Sequence, residues 1–401
     1  MFVLKKIGCR IFQTAFRAVL PILPYREPQI LSSCSELSRI LEREKARSVL
    51  VVTDADIVKN GLTASLEAVL QKGRCSYAVY DKTQPNPTVD QVEEALLLYR
   101  QRNCDMLIAI GGGSSMDCAK AVGARAVYPG KPLRKMGGIL RVLRRLPTLI
   151  AIPTTAGTGS EITLAAVITD PATHHKYALM SFPLIPRYAV LDAELTYTLP
   201  ASLTATTGMD ALTHAVEVYI GRSTTKETRR LALEATKLVF ENVERAYTNG
   251  QDRQARESML LAAYKAGIAF SKSYVGYVHA IAHSLGGRYG TPHGLANAVI
   301  LPCVLEEYGS CVYKKLRRLG ISAGVCSEGD TDEEGAKKFI QAIRSLNERM
   351  GIPEKLPGIR KEDLSEMAGH AEKEANPLYP VPRLMTGKEL EKLYYRIGDV
   401  Q

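Results

Sequence analysis

Residues 106–120 read Met106-Leu107-Ile108-Ala109-Ile110-Gly111-Gly112-Gly113-Ser114-Ser115-Met116-Asp117-Cys118-Ala119-Lys120, and this stretch decides the fold. Five apolar residues without a polar break predict a strand buried on both faces, and Met116 to Lys120 open a helix. The glycines and serines between them let backbone N–H groups approach a ligand, and the helix dipole there favours an anion such as a phosphate. The spacing matches neither G-x-G-x-x-G nor a P-loop, and a glycine cluster after a strand is also an ordinary tight turn.

Four other runs repeat the strand character. They are VLVVT (49–53), YAVY (77–80), TLIAI (148–152) and Tyr188-Ala189-Val190-Leu191. Between them, residues 60–72 and 88–102 carry apolar side chains at helical spacing. This alternation predicts an α/β domain, a parallel sheet with helices on both faces. After Leu199-Pro200 the pattern changes to long helical periodicities over 208–220, 227–247, 253–270 and 331–350, with almost no strand signal. The expected organisation is an N-terminal arm over 1–27, an α/β domain over 28–200 and an all-helical domain over 201–401.

The composition suits two such domains. The 401 residues are 46% hydrophobic and 23% charged, with no tryptophan, and roughly 150 residues per domain is usual. No apolar run approaches the ~18 residues of a membrane span. Eight scattered cysteines without a CxxC pair read as reduced core residues, pointing to the cytoplasm. Lys and Arg number 52 against 42 acids, and no acid falls between Asp117 and Glu161. That basic stretch offers only Tyr128 as an aromatic, so it reads as a solvated surface favouring anionic cofactors, not as a nucleic-acid groove. The start of the chain is acid-poor up to Glu27. Pro21 and Pro24 are expected to break a long amphipathic helix there, and serine is absent until Ser32, so an arm is preferred to a transit peptide.

A second loop follows a second strand: Pro153-Thr154-Thr155-Ala156-Gly157-Thr158-Gly159-Ser160-Glu161. Small residues and hydroxyls beyond a strand's carboxyl end suit a ligand lying across the sheet edge. Asp54, after VLVVT, suits either a ribose diol or a helix cap. In the helical half, Asp210 and His214 stand four residues apart, which puts carboxylate and imidazole on one helix face. His279 and His283 repeat that spacing, and His293 follows a helix-start proline, Pro292. Such a cluster without thiolate suits a divalent first-row metal, Fe(II) or Zn(II). Spacing alone does not choose between His283 and His293 as a ligand. His175 and His370 read as surface residues, and His174 has no assignment.

Taken together, these motifs resemble the iron-containing (group III) alcohol dehydrogenases. The likeness runs from about Pro28 to the C-terminus through Pro85-Asn86-Pro87-Thr88, GGGSSMDCAK, IPTTAGTGSE, GMDALTHAVE and VHAIAHSLGGRYGTPHGLANAVILP. The resemblance implies a dehydroquinate synthase-like fold: an N-terminal dinucleotide-binding α/β domain, an all-helical C-terminal domain holding metal and substrate, and the metal in the cleft between them. By motif position the metal ligands are Asp210, His214, His279 and His293, and His283 is the catalytic histidine near the nicotinamide. The cofactor positions fall on Asp54, Asn86, Gly111, Gly112, Gly113, Ser114, Ser115, Thr154, Thr155 and Lys176. An acid at Asp54 implies NAD rather than NADP. The tail Glu374-Ala375-Asn376-Pro377-Leu378 keeps only part of the family pattern, and the residues before Pro28 have no counterpart role.

The expected reaction interconverts an alcohol and an aldehyde or ketone by hydride transfer to or from NAD(H). The metal lowers the pKa of the substrate's hydroxyl, and His283 relays the proton. The expected assembly is a homodimer acting on a small molecule, with no nucleic-acid or membrane partner. A polyol dehydrogenase or maleylacetate reductase shares the same framework, and a dehydroquinate synthase-like lyase is a more distant alternative.

Overall fold

The computed structural model describes residues 2–19, 23–171 and 175–400. It divides into two compact units, Pro24–Thr198 and Leu199–Gln401, the second joined by Met1–Leu23. The chain opens with α1 (Phe2–Val19), a member of the helical unit. The expectation of a separate arm over 1–27 is thereby corrected. Pro24 lies beyond the last helical residue, where proline marks a stop and not an interior break, and Pro21 lies outside the described residues.

The α/β unit runs β1 (Gln29–Leu31), α2 (Leu37–Glu44), β2 (Ser48–Val52), α3 (Ala55–Lys59), α4 (Ala64–Lys72), β3 (Ser76–Tyr80) and α5 (Val89–Gln101). It continues with β4 (Met106–Gly111), α6 (Gly113–Val127), β5 (Gly138–Ile139), β6 (Thr148–Pro153), β7 (Ala165–Asp170), β8 (His175–Met180) and β9 (Tyr188–Val190). Six strands form a parallel sheet in the order β1-β9-β6-β4-β2-β3. Alternate strand residues feed two separate cores, as a period of two requires. Leu50, Val52, Leu107, Ala109 and Ala151 pack with Val92 and Leu96 of α5 and Ala119 and Val122 of α6. Val49, Val51, Ile108, Ile110 and Ile152 pack with Ile40 and Leu41 of α2 and Leu66 and Leu70 of α4. Burial on both faces is why these strands read as unbroken apolar runs.

The chain leaves β2 toward β3 on one side and β4 toward β6 on the other. The carboxyl ends of β2 and β4 therefore flank a topological switch point, where open α/β sheets bind ligands. The strand β1 and a three-stranded sheet, β5-β8-β7 with β7 and β8 antiparallel, went unread in the sequence. β7 alternates in burial, and four of its six residues are alanine, threonine or aspartate, too weak a signal beside the central strands.

The helical unit contains α7 (Ala201–Ile220), α8 (Lys226–Thr248), α9 (Arg253–Ser273), α10 (Tyr277–Tyr289), α11 (His293–Tyr308) and α12 (Tyr313–Ser322). It ends with α13 (Asp332–Arg349), β10 (Leu356–Ile359), α14 (Leu364–Ala375), α15 (Gly387–Ile397) and β11 (Gly398–Val400). The parallel pair β10-β11 corrects the all-helical expectation in a small way. From Gly208 to Ile220, α7 is buried all round, packed by α8, α9 and α11. Among the described residues no helix is long and apolar enough to cross a membrane.

Candidate active site

The first half of the predicted residues, those of the two loops, lies in the α/β unit. Gly111, at φ 144°, turns the chain off β4, and a Cβ there would stand 2.6 Å from Ser115 Oγ and 3.4 Å from Asp54 Oδ2. Only glycine meets both demands. Gly112 begins α6 as its N-cap, so the helix N-terminus faces this loop. The second loop closes on the first: Thr154 N–H donates to Gly111 O at 3.0 Å, and a Gly112 Cβ would lie 3.7 Å from Thr155 Oγ1. Asn86, in the left-handed region at φ 61°, donates its backbone N–H to Ser114 Oγ at 3.3 Å, and its Oδ1 accepts from Lys176 Nζ at 2.9 Å. Burial lowers the pKa of the Lys176 ammonium. Thus Asp54, Asn86, Gly111, Gly112, Gly113, Ser114, Ser115, Thr154, Thr155 and Lys176 all adjoin one loop cluster.

Of the two readings of Asp54, the structure carries the helix cap. Oδ1 accepts from Ile57 N at 3.0 Å and caps α3, while Oδ2 faces Gly111. Burial raises the pKa of this carboxyl.

Beneath the two loops is a buried polar brace whose role the sequence did not disclose. Lys120 Nζ donates to Ser160 Oγ (2.9 Å), Thr163 O (3.1 Å), Thr163 Oγ1 (2.9 Å) and Ala165 O (2.8 Å). Asp117 accepts from Ser160 Oγ at 2.8 Å and from Val167 N at 2.9 Å. Burial pulls the Lys120 ammonium down to about 8 and pushes Glu161 beside it up to about 7. The i, i+3 spacing of Asp117 and Lys120 on α6 is the only trace of this brace in the sequence.

The second half of the predicted residues, the aspartate and histidine cluster, lies in the helical unit. Asp210, His279 and His293 each bring one donor atom within 4.8 Å of the others. Asp210 Oδ1 is 3.8 Å from His279 Nε2 and 3.6 Å from His293 Nε2. His214, one turn after Asp210 on α7, stacks its ring on His279 at 4.5 Å and on Phe270 at 4.2 Å. His283, one turn after His279 on α10, stacks on His293 at 5.2 Å. All five sequence-predicted residues are together, with three donors converging and two rings packed against them. His370 is exposed, His174 is outside the described residues, and so is the side chain of His175.

Four more residues complete this half. Glu217, two turns beyond Asp210 on α7, faces His279: Oε2 lies 2.6 Å from Nδ1, and the carboxylate accepts from the backbone N–H of Gly276 and Val278 at 2.8 Å each. A Cβ on Gly276 would come within 2.6 Å of Glu217 Oε1, so the approach needs glycine. Burial pushes the Glu217 carboxyl up to about 7 and His279 well below its ordinary value. Asn297, one turn after His293, turns its amide NH₂ to the converging donors: Asp210 Oδ1 at 2.6 Å, His293 Nε2 at 3.0 Å and His279 Nε2 at 3.3 Å. His283 Nδ1 lies 2.6 Å from Glu374 Oε1, which also accepts from Tyr379 O–H at 2.7 Å. Burial works to raise the Glu374 carboxyl, yet His283 and the hydrogen bonds from His283 and Tyr379 hold it below its ordinary value. Helical spacing from the predicted ligands could have found Glu217 and Asn297. Nothing local points to Glu374 or Tyr379.

Comparison with known proteins agrees with this geometry. The description "Iron-containing alcohol dehydrogenase" matches residues 31–193, and "Fe-containing alcohol dehydrogenase family, C-terminal" matches residues 204–398. Alcohol dehydrogenase 4 of Schizosaccharomyces pombe is 38% identical over 86% of this chain and 82% of its own length. The NAD-dependent methanol dehydrogenase of Bacillus methanolicus is 37% identical, covering 84% of this chain and 88% of its own. A crystal structure of 1,3-propanediol oxidoreductase superposes with a TM-score of 0.89 at 34% identity, over 93% of this chain and 99% of that one. The chain belongs to the iron-containing alcohol dehydrogenase family.

Proposed function

We propose that this protein interconverts a small alcohol and its aldehyde or ketone by hydride transfer to or from NAD(H), with a divalent metal held by Asp210, His214, His279 and His293. The observation that carries the reading is the convergence of one carboxylate oxygen and two imidazole nitrogens within 4.8 Å. The donors fit the group: imidazoles and a carboxylate without thiolate suit Fe(II) or Zn(II). Glu217 engages Nδ1 of His279 and leaves the Nε2 lone pair for a cation. When bound, the metal supplies Lewis acidity that lowers the pKa of the substrate's hydroxyl.

The remaining tasks belong to the chain. The backbone around Gly111 to Ser115, with Asn86, Thr154, Thr155 and Lys176, binds the dinucleotide's anionic part. Asp54 accepts from a ribose hydroxyl and repels a 2′-phosphate, which favours NAD over NADP. His283 exchanges a proton between the reacting oxygen and solvent through Nε2, because its Nδ1–H is committed to Glu374. The names of the methanol and propanediol enzymes support short alcohols and diols as the substrate class. The reading includes a homodimer in the cytoplasm, and eight free cysteines support a reducing compartment.

The test is NADH absorbance with Fe(II)- or Zn(II)-loaded protein and a panel of short primary alcohols, vicinal diols and 1,3-diols, with NADP in parallel and maleylacetate assayed separately by NADH consumption. NADH accumulating with at least one of them is the expected result. Turnover of maleylacetate alone, or of none of the panel, contradicts the proposal.

A further inference from the structure

Helix α1 precedes the residues that either family description matches, yet its buried Gln13 and half-buried Arg10 bond to the chain segment next to the proposed proton relay. Gln13 is only 5% exposed. Its Nε2 donates to Tyr379 O at 2.7 Å and Pro377 O at 3.2 Å, and its Oε1 accepts from Arg10 Nη1 at 2.7 Å. Arg10 donates further to Val381 O at 2.8 Å and Pro382 O at 2.9 Å. Two adjacent turns of one helix thus satisfy four backbone carbonyls of the irregular segment between α14 and α15.

Such carbonyls need partners. Within the segment Val381 N–H reaches Tyr379 O at 2.8 Å and Tyr379 N–H reaches Ala375 O at 2.7 Å, and α1 supplies donors to the carbonyls of Pro377, Val381 and Pro382 and a second donor to that of Tyr379. Arg222 N–H takes Pro380 O at 2.7 Å. Tyr277 of α10 pins the flanks: its hydroxyl donates to Asn376 Oδ1 at 3.1 Å and accepts from Met385 N at 2.9 Å. Between those pins hangs Tyr379, whose hydroxyl and His283 Nδ1 share Glu374 Oε1.

We propose that helix α1 sets the working orientation of His283, with Arg10 and Gln13 as positioning residues that act through the Tyr379 backbone, the Tyr379 hydroxyl and Glu374. This rests on the reading of His283 as the proton relay. Without the clamp, the 377–382 carbonyls turn to water and the Tyr379 hydroxyl leaves Glu374. The imidazole then loses the fixed acceptor that holds its tautomer and angle.

The experiment compares wild type, Gln13→Met (similar volume, no donors), Arg10→Ala/Gln13→Met, Arg10→Lys and Tyr379→Phe in the full chain loaded with Zn(II). The double variant should lose about tenfold in kcat, a coupling of ordinary size, with KM for NAD and bound zinc unchanged. Arg10→Lys, which keeps a donor, should lose less. Adding the double variant to Tyr379→Phe should produce no further loss, because both cut one path. A readout independent of turnover is the proton resonance of the His283 Nδ1–H, which should shift or broaden in Gln13→Met. Unchanged kcat and resonance in folded, metal-loaded Gln13→Met overturn the inference, as do losses that multiply fully with that of Tyr379→Phe. If the double variant does not fold, Gln13→Met and Tyr379→Phe alone decide it. An inactive wild type defeats the functional reading itself; an active wild type with indifferent α1 variants defeats only this inference.

Discussion

Glu217 accepts hydrogen bonds from two backbone N–H groups and from Nδ1 of His279 inside a fully buried pocket. At the scale of single residues it fixes which nitrogen of His279 is presented to a cation. Replacing such a partner typically costs about 10–100-fold in metal affinity. Glu217→Ala should therefore weaken Zn(II) binding by about that factor in a chelator competition, and unchanged affinity would remove it from the site. The predicted ligand residues were legible because helical spacing exposes i, i+4 pairs. Glu217 stood in the same GMDALTHAVE motif, but a lone glutamate on an apolar helix carries no sign of which partner it meets. Asp54 is the complementary case, since its carboxylate both caps α3 and faces Gly111. Asp54→Asn keeps the cap and removes the charge. The ratio of kcat/KM for NADP over NAD should rise about tenfold, or ~1.4 kcal/mol; an unchanged ratio would leave Asp54 with capping alone.

At the scale of elements, the Lys120 brace joins α6 to the 153–163 loop and β7, so the two loops proposed to hold the cofactor form one body. Lys120→Met leaves Asp117 and four acceptors buried without their ammonium. Breaking a buried pair this way costs about 3–5 kcal/mol. The melting temperature should fall accordingly and NAD affinity should drop with it; retained NAD affinity would uncouple the brace from the loops. The end of α10, which carries His279 and His283, is tied by Asp363 to Arg288, Tyr289 (2.7 Å) and Arg360 (3.0 Å). Hydrogen bonding from Arg288, then from Tyr289 and Arg360, holds the Asp363 carboxyl down to about 2. A carboxyl lowered on folding stabilises the protein above its unfolded pKa of about 3.9, and that contribution fades as pH falls toward 2. Asp363→Asn should flatten the loss of stability between about pH 4 and pH 2, measured by denaturant midpoints; an identical slope would contradict the tie. The central strands were plain in the sequence because burial on both faces leaves no polar break. β7 and β8 were not, because a half-exposed antiparallel pair rich in small and polar residues blends into loop composition.

At the scale of the molecule, the change of pattern at Leu199-Pro200 was readable because short unbroken apolar runs give way to long stretches with a 3.6-residue apolar period. The place of α1 was not readable. Its basic, acid-poor composition resembles a targeting segment, and the long-range hydrogen bonds of Arg10 and Gln13 reveal that it belongs to the helical unit. The functional reading depends on a cation among Asp210, His214, His279 and His293. The most direct measurement strips the protein with a chelator, titrates Fe(II) or Zn(II) back without oxygen, and records bound metal and NADH formation on the same samples, beside His279→Ala. The account predicts one ion per chain, alcohol-dependent NADH rising in proportion to it, and neither in His279→Ala. Full NADH formation by the stripped protein, or stoichiometric metal binding that His279→Ala leaves intact, would contradict it.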